Sequence, residues 1–308
     1  MIVKYQGYQS HEVEVCSGVP QGSVLGPLFF VIFINDIIVN IKSNILIYAD
    51  DIKIFKTISS MEDCLILQND LTTFLHWSNS NLLPVNFDKS YVMSYTNKNF
   101  QILYNYTLNN IFLSRVDTFK DLGVIFDSKL TFHNHINAVT SEAFKSLGFI
   151  IRCGYHLTDI NCLRILYFAY VRSKLEYASV VWSPFQKTYI DSLEKIQRRF
   201  LKYLMFRADG NYPPRGFPHV SLLQIFHIDD LNTRRVKAAL NFLKKLIAFD
   251  IDCSYLLSKI CFYVPRLSSR NRFYFYLPTP RINIVKHSPI YEMCSLYNQN
   301  LYDLELFR

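Results

Sequence analysis

Over the first 127 residues the apolar positions fall in alternating pairs and short runs separated by turn formers, a pattern of strands with a few helices between them. Val13 and Val15 alternate with Glu12 and Glu14, so residues 1 to about 16 are predicted as strand with the two glutamates facing solvent. An apolar stretch predicts a buried helix over 26–40. Asn44-Ile45-Leu46-Ile47 and Ile52-Lys53-Ile54-Phe55 are short and rich in isoleucine, and predict two buried strands joined by a tight turn. Over 61–82 the spacing predicts an amphipathic helix with Leu65, Leu67, Leu71, Phe74 and Leu75 inward, and Ser59 or Ser60 can cap it. Strands are predicted over 89–95 and 102–126, with Asn109-Asn110 as a turn.

Between 127 and 131 the period lengthens. Phe132, Ile136, Val139, Ala143, Leu147 and Ile150 recur at helical spacing. So do Ile160, Leu163, Tyr167, Tyr170, Lys174 and Ala178, where the lysine interrupts an apolar face and Thr158 or Asp159 can cap. At about 187–207, Ile190, Leu193, Ile196, Phe200 and Leu204 share one side of a helix, and Lys195, Arg198, Arg199 and Lys202 share the other. Such a basic ridge either neutralises phosphates or is a solvated face. A second basic set, Arg234, Arg235, Lys237, Lys244 and Lys245, is less one-sided. Residues 208–219 read as a loop. Residues 265–281 mix Arg266, Arg270, Arg272 and Arg281 with Phe273, Tyr274, Phe275 and Tyr276. That segment could stack bases, but a β-hairpin packed on the helices is the favoured reading. The fold class expected is α+β, an antiparallel sheet with helices followed by all-α regions. The boundaries fall at 1–127, 128–210 and 211–308.

Half of the 308 residues are hydrophobic, enough for a sizeable core, and the net charge of +8 suits a polyanionic partner. The 7 cysteines show no Cys-x-x-Cys pair and no matching histidine spacing. They are expected to be reduced, mostly buried thiols of an intracellular protein, without zinc. Met1-Ile2-Val3-Lys4-Tyr5-Gln6 is too polar for a secretory leader, and Val24 to Ile34 is too short to cross a bilayer. No membrane partner is expected. His133 and His135 lack a third ligand nearby and are read as structural.

The chemistry concentrates at Tyr48-Ala49-Asp50-Asp51, where two adjacent carboxylates sit between the isoleucine-rich strands. Alone, such a pair is an ordinary polar turn. A hard divalent cation is the partner that would neutralise both, since Mg²⁺ prefers carboxylate oxygens and completes its shell with water and phosphate. Upstream, Ser17-Gly18-Val19-Pro20-Gln21-Gly22-Ser23-Val24-Leu25-Gly26-Pro27 places three glycines and two prolines in one segment. Glycine permits close approach of another chain to the backbone.

These two segments, in this order and spacing, resemble the reverse transcriptase of non-LTR retrotransposons, most like the jockey group. Asn86-Phe87-Asp88-Lys89-Ser90 resembles the family's next palm motif, and Phe119-Lys120-Asp121-Leu122-Gly123-Val124 its primer-holding hairpin. Leu175-Glu176-Tyr177-Ala178 with Val181-Trp182-Ser183-Pro184, then Ile196-Gln197-Arg198-Arg199 and Pro265-Arg266-Leu267-Ser268-Ser269-Arg270, resemble the region after the polymerase core.

The resemblance implies a partial polymerase palm followed by a helical thumb, and template-directed nucleotidyl transfer with two Mg²⁺ ions, an RNA template, a DNA primer and deoxynucleotides. It implies Asp50 as the better candidate for direct metal coordination, with Asp51 close to the same site. Pro20, Gln21 and Gly22 would line the pocket for template base and nucleotide, and Leu122 and Gly123 would place the primer end. Lys89 is either a proton donor to leaving pyrophosphate or an exposed cation at a strand start. The family's palm carries another metal-binding aspartate upstream of the Gly-Pro-Gln loop, whereas the first aspartate here is Asp36. The fingers would lie further upstream still. The expectation is therefore the C-terminal part of a polymerase, inactive or nearly so alone. The alternative is a remnant that binds nucleic acid without chemistry.

Overall fold

A computed structural model describes residues 2–14, 18–19, 22–98, 100–264, 273–280 and 282–299. The chain divides into two compact units, Met1–Asp117 and Thr118–Arg308.

The first unit opens with a hairpin of β1 (Lys4–Tyr5) and β2 (Tyr8–Gln9), turned at Gln6-Gly7. The long strand expected to residue 16 is absent from the described part, and Glu12, Val13 and Glu14 are all exposed. Helix α1 (Gly26–Ile34) carries a proline in its first turn, which suits a position whose N–H has no helical partner. It tightens into a 3₁₀ turn over Asn35–Asn40. Against the expectation of burial, Leu28, Phe29, Val31, Ile32 and Phe33 are exposed, and Gly26, Ile34 and Ile37 are buried. An all-round apolar helix has more surface than the neighbours within this unit can cover.

Strands β3 (Asn44–Tyr48) and β4 (Asp51–Phe55) pair antiparallel, with Ile45 opposite Ile54 and Ile47 opposite Ile52. These isoleucines are half-buried, whereas Leu46 and Tyr48 on the other face are exposed. The strands are thus two-faced rather than fully buried, because the sheet has two strands and one covered face. Helix α2 (Met61–Ser80) starts at Ser60, whose hydroxyl accepts from Asp63 N while the Asp63 carboxylate accepts from Ser60 N. Leu67, Leu71, Phe74 and Leu75 are half-buried, but Leu65 points outward. The expected strands beyond 89 shrink to β5 (Tyr91–Val92), β6 (Thr107–Leu108), β7 (Ile111–Phe112) and β8 (Ser114–Arg115). Asn109 and Asn110 both have positive φ, the backbone of a two-residue hairpin turn between β6 and β7. Against the antiparallel expectation, β5 pairs with β8 in parallel.

The second unit begins with the hairpin β9 (Thr118–Asp121) and β10 (Val124–Asp127). The change of hydrophobic period marks where helices begin, and this hairpin belongs with them. Helix α3 (His133–Cys153) buries Ile136, Ala143, Leu147 and Ile150. Helix α4 (Ile160–Tyr167), capped by the Asp159 carboxylate on Asn161 N, runs through a π turn at Phe168–Arg172 into α5 (Ser173–Glu176) and, past a break, α6 (Ser179–Trp182). The wide turn advances the apolar stripe, so Leu163, Tyr167, Val171 and Leu175 are buried. Tyr170, expected inward, is exposed.

Helix α7 (Lys187–Asp209) places Leu193, Ile196, Phe200 and Leu204 in the core, where Phe200 stacks on Tyr167 at 3.9 Å. Helices α8 (His219–Phe226), α9 (Leu231–Ile247), α10 (Ser254–Leu257), α11 (Asn283–Lys286) and α12 (Pro289–Gln299) follow. A second core joins Leu240, Leu243 and Leu246 of α9 with Ile260, Phe275, Met293 and Tyr297. The expected C-terminal hairpin shows in its described flanks, where Tyr263 N donates to Tyr274 O and Tyr276 N to Cys261 O. Arg266, Arg270, Arg272 and Arg281 lie outside the described residues. Thiols are less buried than expected: Cys64 and Cys294 are buried, but Cys153, Cys162 and Cys261 are exposed.

Candidate active site and nucleic-acid surface

The acidic pair sits where the sequence places it, at the tip of the β3–β4 hairpin. Tyr48 pairs with Asp51, leaving Ala49 and Asp50 as a two-residue turn. Ala49 has φ +52°, a conformation side-chain-bearing residues seldom adopt. Strain of this kind concentrates at functional sites, where the surrounding structure holds it. Both carboxylates are exposed.

The base of the hairpin is fixed from α2. Asp70 is 1% exposed, and its two oxygens accept from Lys42 N at 3.1 Å and Ser43 N at 2.8 Å. Two turns along, Trp77 Nε1 donates to Asp36 Oδ1 at 2.9 Å, tying down the 3₁₀ turn after α1. The sequence reading missed Asp70. Its signal is a carboxylate on the inward stripe between Leu67 and Leu71, where an unpaired charge would be costly.

Asp50 and Asp51 are the hard oxygen donors that Mg²⁺ takes, so they fit that ion in kind. In number the set is partial, because no group of three or more His, Cys, Asp or Glu that could hold a metal occurs among the described residues. Water and phosphate oxygens would have to fill the remaining positions.

Of the glycine-rich segment, Gly18 and Gly22 both have φ +82°, and a side chain at either would point into open space. Backbone conformation, not crowding, is what requires glycine at both. Ser23 Oγ accepts from the amide of Gly26, the first residue of α1, at 3.1 Å. Pro20 and Gln21 lie outside the described residues. Lys89 closes a short 3₁₀ turn, with its amide on Asn86 Oδ1 at 3.2 Å and its side chain exposed.

The other candidates belong to the second unit. Leu122 and Gly123, with φ +43° and +86°, form the turn of the β9–β10 hairpin. On α7, Lys195, Arg198 and Arg199 are exposed and Lys202 is half-buried, all opposite the core stripe. The Arg199 guanidinium lies 4.6 Å from the ring centre of Phe144 on α3. On α3, the carboxyl of Glu142 is held below its ordinary range, first by the hydrogen bond from Lys145 and also by the charges of Lys174 and Lys120.

Three residues of the second basic set are paired or buried. Arg234 forks onto the Glu176 carboxylate, Lys237 bonds Asp229 at 2.6 Å, and Arg235 is 3% exposed. Lys244 and Lys245 remain exposed. The histidines are packing groups, in line with the sequence reading: His133 stacks on Tyr189, and His135 meets the Trp182 ring edge-on while its Nδ1 accepts from Ile125 N at 3.2 Å. Burial holds the His135 imidazole below its ordinary pKa, and Lys120 adds to the effect. No helix among the described residues is long and apolar enough to cross a membrane.

Residues 1–151, just under half of the chain, match the family described as reverse transcriptase (RNA-dependent DNA polymerase). The RNA-directed DNA polymerase from mobile element jockey of Drosophila funebris is 29% identical over 213 residues, which is 65% of this chain and 23% of that protein. Its counterpart from Drosophila melanogaster is 26% identical over 214 residues, again 65% of this chain and 23% of the relative. The probable RNA-directed DNA polymerase from transposon BS of Drosophila melanogaster is 27% identical over 213 residues, with the same shares. The chain thus spans about a quarter of the length of these curated relatives. No solved structure matches it.

Proposed function

We propose that this chain, a relative of the RNA-directed DNA polymerases of non-LTR retrotransposons, takes part in template-directed nucleotidyl transfer from deoxynucleotides to a DNA primer on an RNA template. The observation that carries the reading is the exposed Asp50–Asp51 pair on a strained two-residue turn, downstream of a loop with two positive-φ glycines. In this reading residues 1–127 supply part of a palm, 128–210 a thumb and 211–308 a helical C-terminal region.

Each residue type suits a distinct task. Asp50 and Asp51 would hold Mg²⁺, which when bound supplies Lewis-acid activation of the primer hydroxyl and neutralises phosphate charge. Gly22 gives the backbone room to meet template and nucleotide, with Pro20 and Gln21 beside it in sequence. Leu122 and Gly123 place the primer terminus by backbone and shape. As the bond from the primer 3′-oxygen to the α-phosphorus forms, the hydroxyl proton passes to water, and as the bond to pyrophosphate breaks, Lys89 gives a proton to the leaving group. Lys195, Arg198, Arg199 and Lys202 meet phosphates without reading sequence.

One observation favours a second reading, a non-catalytic nucleic-acid-binding remnant: the metal-ligand set among the described residues stops at two carboxylates. Primer extension separates the two. The purified chain is given an RNA template, a DNA primer, deoxynucleotides and Mg²⁺, with Asp50→Ala as control. Template-dependent incorporation that Asp50→Ala abolishes, with primer–template binding retained, supports the polymerase. Binding without incorporation fits both a remnant and a polymerase part inactive by itself, and extension by a longer form of the chain that Asp50→Ala abolishes then selects the polymerase. Failure to bind primer–template rejects both.

A further inference from the structure

The segment Leu175-Glu176-Tyr177-Ala178 with Trp182 has no task in the reaction above, yet the structure places it directly against the β9–β10 turn. Tyr177 Oη donates to the carbonyl of Leu122 at 2.8 Å, joining residues 55 apart in sequence. Its ring lies against the neighbouring backbone, since a Cβ at Gly123 would come 3.1 Å from Tyr177 Cε1. The turn is the kind that needs such support. Leu122 has φ +43°, which a branched side chain disfavours, and the remaining positive-φ position is glycine.

Tyr177 is itself held on both sides. The Trp182 indole, 1% exposed, donates to the Tyr177 carbonyl at 2.8 Å. Ala178 takes φ +51° and ends the helix so that Tyr177 turns toward the hairpin. Glu176, one residue before, is forked by Arg234 of α9. The other strand of the hairpin reaches the same mount, because Ile125 N donates to His135, which packs on Trp182. Packing alone would be served as well by phenylalanine; the hydroxyl bonded to Leu122 is the part that fixes the turn.

We propose that Tyr177 is a positioning residue, with Glu176, Ala178 and Trp182 as its mount, that sets the Leu122–Gly123 backbone for contact with the 3′ end of a nucleic-acid strand. This rests on the reading that the turn meets the primer terminus. Tyr177 touches no reacting atom and acts through the Leu122 carbonyl.

Tyr177→Phe in the full 308-residue chain tests it, because the ring and its packing remain. Amide exchange within 118–127 is expected to quicken by roughly 3- to 10-fold, the loss of one hydrogen bond, with α7 unchanged. Binding is then measured to two RNA–DNA duplexes of equal length, one with a recessed DNA 3′ end and one blunt. The wild-type chain is expected to favour the recessed end. Tyr177→Phe should lose most of that preference while keeping its affinity for the blunt duplex and its salt dependence. A wild-type preference that Tyr177→Phe retains, or unchanged exchange in 118–127, overturns the proposal alone. A wild-type chain blind to the recessed end overturns the primer-terminus reading and, with it, the purpose assigned to Tyr177.

Discussion

Asp127 shows how much backbone one carboxylate can arrange. Its oxygens accept from Lys129 N and Thr131 N at 3.0 Å, from Thr131 Oγ1 at 3.0 Å and from Phe132 N at 2.7 Å. Around those donors the chain passes through positive φ at Leu130 and again at Phe132, the residue just before α3. Partial burial disfavours the charged carboxylate, but the hydrogen bonds outweigh it and hold the pKa below the ordinary 3.8. A depressed folded-state pKa gives stability that is present above the unfolded value and lost as pH falls through the folded one. Asp127→Ala is therefore expected to destabilise the second unit by about 1–2 kcal/mol at neutral pH. Urea unfolding at stepped pH should show the gap between wild type and variant closing as pH drops below 3.8. A gap that stays constant down to pH ~2 would mean that the charged form of Asp127 is not what matters. In the first unit Asp70 likewise arranges backbone: two amides donate to one carboxylate, and the carboxylate fixes the start of β3.

Among the elements, α7 combines an apolar stripe that closes the main core with cations on the far side. If those cations meet phosphates, removing each one should lower the slope of log K against log salt by about 0.9 for duplex and 0.7 for single strands. Replacing Lys195, Arg198, Arg199 and Lys202 with glutamine should flatten the salt dependence of duplex binding, read by fluorescence anisotropy, without changing which sequences bind. A quadruple variant with the wild-type slope would leave the ridge as a solvated face. Arg199 will cost more than its charge, because its guanidinium also covers the Phe144 ring. The helices after α3 show where a strict helical period misleads. The stripe read through Tyr167, Tyr170 and Lys174 is correct up to the π turn and one residue out of step beyond it. One wide turn does that to every later residue, and no local spacing rule anticipates where it falls.

For the whole molecule, the division at 117/118 is the organising fact. The second unit contains two apolar clusters, one around Leu147, Tyr167 and Phe200 and one around Leu243, Phe275 and Tyr297. Among the described residues of the first unit few side chains are fully buried, Ile37 and Cys64 among them. Expressed alone, residues 118–308 should keep helical circular dichroism and a single cooperative thermal transition. A non-cooperative melt would show that the helical unit depends on the first. Features that depend on neighbours a few positions away were legible in the order of residues. The acidic turn follows from two apolar runs around a polar pair, the Ser60 cap from its spacing to Asp63, and the two-sidedness of α7 from a 3.6-residue repeat. Features that depend on distant partners emerged with the folded chain alone. Folding leaves α1 exposed where an apolar run read as buried, and pairs Arg234 with Glu176 rather than with a ligand. It also sets Tyr177 against a turn 55 residues earlier. Hydrophobic period reports which face of an element is apolar; whether that face is covered, and which charge meets which, is settled by where the rest of the chain comes to lie.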